Sequence, residues 1–173
     1  IRWRGRQDPG NYFDEDSRRL VMANYRNLFF TLAEHYVYTA KEPQKAIRVL
    51  ERMEEVIPHN VISMDPGMLY RMGIVHAEAG QKERSTAFLQ ELVSTVTPRR
   101  DDYLREPLSQ FNPLIVLFYS QLELGQFTEA DDLIKVLSGT YGTQHGIAQA
   151  IQQLTMQLNV RRAQAVADTA AKK

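Results

Sequence analysis

Between Pro66 and Pro98 the chain reads PGMLYRMGIVHAEAGQKERSTAFLQELVSTVTP. Leu69, Met72, Gly73 and His76 recur at three- and four-residue steps, and after Gly80 so do Phe88, Leu89, Leu92 and Val96. That spacing puts each set on one face of a helix. Proline fits the first turn of a helix, where its missing N–H is harmless, and Gly80 stands where a left-handed C-cap is wanted. Two short amphipathic helices cannot bury their apolar faces alone, so this stretch needs neighbours of its own kind.

The flanking sequence supplies them. Counted from Phe111, a later copy offers Leu114, Leu117, Phe118, Gln121, Gly125, Ala130, Ile134 and Leu137, and the two turns read AGQKERS and LGQFTEA. An earlier copy has Phe29, Leu32, Ala33 and Tyr36, then one extra residue before Ala46, Leu50 and Pro58. The period and the placement of small and large apolar residues are those of a tetratricopeptide-like pattern, whose repeat is about 34 residues. The expected fold is therefore all-α: a tetratricopeptide-like helical repeat solenoid of about three helix pairs with a C-terminal capping helix.

Taken in order, residues 1–13 read as an N-terminal arm, because Asp8-Pro9-Gly10-Asn11 is turn chemistry and no helical period is present. A single repeat domain is expected over 14–173, with repeats near 24–58, 66–98 and 111–144. Asp14 to Ser17 offers N-caps for a first helix whose inward stripe is read as Val21, Tyr25, Leu28, Phe29, Leu32 and Tyr36. Its partner carries Ala46, Ile47, Leu50, Met53 and Ile57. Residues 99–110 form an insertion loop with one helical turn around Asp101 to Leu104. Ile147, Ile151, Leu154 and Leu158 mark a capping helix over 144–168, its Ala-rich tail beyond Arg161 expected to fray.

Composition narrows the function. With 21 basic and 21 acidic residues the chain carries no net field to favour nucleic acid or an anionic membrane. Arg2, Arg4 and Arg6 could give only weak attraction to headgroups. Cysteine is absent, which removes disulfides and thiolate chemistry. The four histidines show no metal-ligand spacing, and no nucleophile elbow or phosphate-binding glycine loop is present. Asp101-Asp102 and Asp131-Asp132 are adjacent, and neighbours on a helix diverge. His76 falls in a core slot. The expectation is a non-catalytic chain without cofactor or metal.

In a tetratricopeptide array the open side of each first helix lines a groove. Under this register the candidate groove residues are Asn27, Phe30, Glu34 and Tyr38, then Tyr70, Ile74 and Glu78, then Ile115, Tyr119 and Glu123. Aromatics offer contact area at low entropy cost, and carboxylates could orient a peptide or a sugar. The competing reading is that these aromatics are covered in part by the capping helix.

Trp3-Arg4-Gly5, Asp8-Pro9, Tyr12 to Glu15, Arg18-Arg19, Asn24-Tyr25-Arg26 and Leu32-Ala33, together with KAIRVLERMEEVIP from Lys45 to Pro58, carry a resemblance. They resemble the C-terminal tail of bacterial, Bacteroidetes-type multi-spanning membrane proteins related to protein O-mannosyltransferases, a tail long treated as a domain of unknown function. The resemblance implies a tetratricopeptide-like domain of an inner-membrane protein, on the periplasmic side, where acceptor proteins would be met. The family's sugar-transfer residues belong to its membrane part, so none is carried onto this chain. The implied partners are a polypeptide or acceptor protein and the chain's own membrane domain, with a homodimer as the structural alternative. No apolar run approaches the roughly 18–20 residues of a membrane span. The chain starts at Ile1 without a visible signal peptide, as expected of a piece of a larger protein.

Overall fold

The computed structural model describes residues 23–109, 112–144 and 146–171. The expected N-caps at 14–17 and the aromatic arm at 3–13 lie outside them. Among the described residues the chain is all-α, with no strand. The helices are α1 (Ala23–Glu34), continued by a π-helical turn (His35–Thr39), α2 (Pro43–Val56), α3 (Pro66–Glu78) and α4 (Lys82–Val96). A 3-10 turn (Thr97–Arg99) leads into α5 (Arg100–Tyr103), followed by α6 (Pro113–Glu123), α7 (Phe127–Tyr141) and α8 (Ile147–Ala171). The chain divides into two compact units, Ile1–Ala87 and Phe88–Lys173.

In the first unit α1 packs on α2, and α3 packs on both. Ala46, Ile47, Leu50 and Met53 of α2 and Leu69, Met72 and Val75 of α3 are buried, as their period requires. Each fully buried Leu or Met side chain is worth about 2 kcal/mol of transfer free energy. Helix α1 differs from expectation. Leu28 is 68% exposed, and Tyr25 and Leu32 are also exposed, whereas Arg26, Phe30, Ala33 and Val37 are buried. The helical period holds but the face is turned by one residue. Val21 lies outside the described residues.

The cause is Arg26, 2% exposed, which a hydropathy pattern places in solvent. Its Nη1 donates to the Ser63 carbonyl at 3.0 Å, and its Nη2 donates to the carbonyls of Ile57, at 3.2 Å, and Ile62. Ile57 caps the C-terminus of α2, where carbonyls lack helical partners and the dipole is negative. The guanidinium thus closes the loop between α2 and α3. Burial pulls its pKa down, and Glu54 and Asp65 oppose that pull.

The second unit holds α6 against α7 and α7 against α8. Leu114, Leu117 and Phe118, then Ala130, Leu133, Ile134 and Leu137, then Ile151, Leu154 and Leu158 are buried. Residues 97–107 are tied down rather than loose. Tyr141 Oη reaches the carbonyls of Leu104 and Glu106, both at 2.7 Å, and Asn112 Nδ2 donates to those of Tyr103 and Pro107 at 3.2 and 3.3 Å. Helix α8 does not fray after Arg161. Arg162 Nη2 donates to the carbonyl of Phe127, the first residue of α7, at 2.8 Å, and α8 continues to Ala171. Alanine, glutamine and arginine are strong helix formers, so the tail stays helical without a core of its own.

One local geometry recurs. Asp65 and Asn112 each cap a helix by accepting from a backbone N–H at 2.9 Å, with proline following at the first helical position. After α3, Gly80 has φ +84, Gly80 N donates to Ala77 O at 2.9 Å and Gln81 N to His76 O at 2.8 Å. After α6, Gly125 has φ +71, Gly125 N donates to Leu122 O at 3.1 Å and Gln126 N to Gln121 O at 2.8 Å. These are Schellman caps, satisfying carbonyls that a helix end leaves open. Lys41, with φ 57, takes the same place after the π-helical turn, and Glu42 N donates to Tyr36 O at 2.8 Å. Five residues beyond each left-handed residue a small side chain is buried: Ala46, Ser85 and Ala130.

Candidate functional site

In the first unit the candidate groove residues of α1 are gathered by a residue the sequence reading did not single out. Arg71 of α3 donates from Nε and Nη2 to the two carboxylate oxygens of Glu34, at 3.0 and 2.9 Å, and from Nη1 to Asn27 Oδ1 at 2.9 Å. Its guanidinium carbon lies 4.5 Å from the centroid of the Phe30 ring. Asn27, Phe30 and Glu34 therefore form one clamp on Arg71. A bidentate, partly exposed pair of this kind contributes on the order of 1 kcal/mol. Phe30 is fully buried and is a core residue, not a groove residue. It shares the inward face with Ala33 and Val37 because α1 is turned by one residue.

What remains toward solvent in this unit is Tyr38, Tyr70, Ile74 and Glu78. Tyr38 is 47% exposed and Glu78 is exposed, while Tyr70 and Ile74 are half-buried. Partial burial, Glu78 and Glu34 each push the Tyr38 phenol up, which places its hydroxyl within the field of both carboxylates. A tyrosine hydroxyl beside two acidic groups suits a ligand with hydrogen-bond donors or positive charge. His76 is fully buried, and its Nδ1 lies 2.7 Å from Gln81 Oε1. Burial is the first cause holding its pKa below the usual histidine value, with Arg84 acting the same way and Gln81, Glu54 and Glu51 opposing.

In the second unit Ile115 and Tyr119 are half-buried. They line a pocket of about 320 Å³ with Leu108 and with Ile147, Ala150, Gln153 and Leu154 of α8. The Tyr119 ring meets Phe118 edge-on, with centroids 5.4 Å apart. Glu123 is engaged by Arg161 of α8 at 2.5 Å. Helix α8 thus stands beside this face of α6, leaving a concave, mainly apolar space.

Two of the three candidate glutamates, Glu34 and Glu123, are held by arginines inside their own units, and among the described residues Glu78 has no such arginine partner. The sequence carried a signal for Arg26, since Arg26, Phe30, Ala33 and Val37 follow the helical period as well as the stripe first read. For Arg71 no local signal exists, because its partners lie 37 and 44 residues away.

Among the described residues no cluster of three or more His, Cys, Asp or Glu side chains is placed to hold a metal ion. Among the same residues no helix is long and apolar enough to cross a membrane. Compared with models of known protein families, with curated proteins and with solved structures, the chain matches none.

Proposed function

We propose that the chain is a tetratricopeptide-like repeat scaffold that binds an extended polypeptide and carries no catalysis of its own. The recurrence of the same capped turn at Lys41, Gly80 and Gly125 supports the repeat reading. The pocket at Ile115 and Tyr119 is the observation that carries the binding reading, since an aromatic and aliphatic side chain open there onto a concavity large enough for a peptide side chain. The second patch, Tyr38, Tyr70, Ile74 and Glu78, offers aromatic area together with an acidic group. On the sequence resemblance, the parent is a membrane glycosyltransferase-like protein and the ligand an acceptor polypeptide on the periplasmic side.

Screening of the purified chain against a peptide array tests this. Tyr70→Ala with Tyr119→Ala is expected to abolish the peptides bound by the unaltered chain while circular dichroism stays helical. An unchanged array would refute the proposal. A second reading, a dimerising brace for the membrane part, is favoured by Met156, Val160 and Val166 on α8, which are 65%, 51% and 71% exposed. Sedimentation that gives a dimer broken by Val160→Glu would establish it.

A further inference from the structure

One carboxylate of the first unit stands between two basic side chains. Glu54 lies in the last turn of α2, and its Oε2 pairs with His59 Nδ1 across the end of that helix. Its other oxygen, Oε1, is buried without a hydrogen-bond partner among the described residues. Arg26 of α1 reaches the same helix end, where its Nη2 donates to the Ile57 carbonyl at 3.2 Å. Arg26 Nε is likewise buried without a hydrogen-bond partner among the described residues. Against the burial that lowers the Arg26 pKa, Glu54 and then Asp65 favour the charged guanidinium, so both carboxylates act on it. A buried cationic donor and a buried anionic acceptor thus meet at one helix terminus without a bond between them. Each open atom costs free energy that such a bond would recover. On α3 the titratable neighbour is His76, on which burial, Gln81 and Arg84 act first, then Glu54 and Glu51.

We propose that Glu54 is a pH-directed latch, bonded to His59 while that imidazole is protonated and to Arg26 Nε once it is neutral. Imidazolium and guanidinium compete for the carboxylate as charge against charge, and the structure holds the His59 arrangement. Loss of the proton, in the range where histidines ordinarily titrate, weakens His59 alone, because the guanidinium stays charged throughout. The carboxylate then turns to Nε, and both buried atoms are satisfied. Arg26 keeps the loop carbonyls of Ile57, Ile62 and Ser63 in either state. The loop therefore remains closed at its base, while His59 near its tip is released from α2. Protonation locks the tip, and deprotonation joins α1 to the end of α2.

NMR of the full chain tests the latch. The Arg26 Nε–H signal, assigned by its loss in Arg26→Lys, is followed from about pH 8 to about pH 5 together with the His59 ring protons. The Arg26 signal is expected to shift with the midpoint of His59. His59→Ala is expected to hold it at its pH 8 position throughout, and Glu54→Gln to abolish the shift. His59 is a half-buried loop residue, so its variant keeps the comparison open should Glu54→Gln fail to fold. An Arg26 signal indifferent to pH overturns the proposal. So does a shift that persists in His59→Ala, which would pass control to His76, or one that persists in a folded Glu54→Gln.

Discussion

The turns after α3 and α6 close with the same pair of backbone hydrogen bonds around a left-handed glycine, yet differ in what stands behind them. Behind Gly80, His76 meets Gln81 through its Nδ1. Behind Gly125, Gln121 occupies the corresponding place, and its Oε1 is buried with no hydrogen-bond partner among the described residues. A similar contrast holds for the loops that lead into the two helices. Arg26 ties the loop at 57–63 by donating to three carbonyls, and Asn112 ties residues 103–107 by donating to two. Glycine and orphan carbonyls set the backbone of such a turn. The side chain behind it is under a weaker constraint: one copy pairs it with a neighbour, and the other leaves its oxygen buried without a partner among the described residues.

The loop ties offer the strongest way to break the parallel. Arg26→Ala removes the donor from three carbonyls in a buried setting and is expected to cost roughly 3 kcal/mol. Asn112→Ala loses an N-cap and two donated bonds and is expected to cost about 2 kcal/mol. Urea denaturation of both should keep that order, and equal losses would mean that Arg26 acts only by filling space.

The His76 position can be sharpened by pH. Its proton affinity is lower in the folded chain than in the unfolded one. As pH falls below about 6.5 the unfolded chain takes up the proton first, so stability is full above that value and declines below it, by at most about 1.4 kcal/mol per pH unit. His76→Gln, which copies the second turn, should show a flatter decline between pH 7.5 and 5 in thermal melts. An unchanged slope would show that His76 does not set the decline.

The smallest effect concerns the left-handed residue itself. Lys41 holds φ 57 with a side chain that disfavours it, while no atom lies near the position of an added Cβ at Gly125. Gly125→Lys is expected to destabilise by about 1 kcal/mol and Lys41→Gly to stabilise by somewhat less, both read as shifts in Tm. Opposite signs support equivalence of the two turns.

Much of this fold can be read from the chain. The stripes of α2, α3, α4, α6 and α7, the turns at Gly80 and Gly125, and the core place of His76 all follow from helical period and cap chemistry. Helix α1 does not, because an arginine that donates along its buried face counts as polar in any hydropathy pattern. The α8 tail was misjudged for the opposite reason: no apolar stripe is needed where local propensity suffices. The groove was legible only as a list of positions. Which of its acids would be engaged depends on Arg71 and Arg161, whose partners are distant in sequence.

The π-helical turn at 35–39 has a consequence of its own. Ala40 N donates to His35 O at 2.9 Å, five residues back, so the helix widens for one turn and holds a residue more than the later copies do. Without that widening, an added residue would rotate everything downstream by about 100° and turn the apolar side of α2 outward. The bulge acts as a register buffer. An insertion is absorbed where it occurs, and Ala46 still arrives against its neighbours.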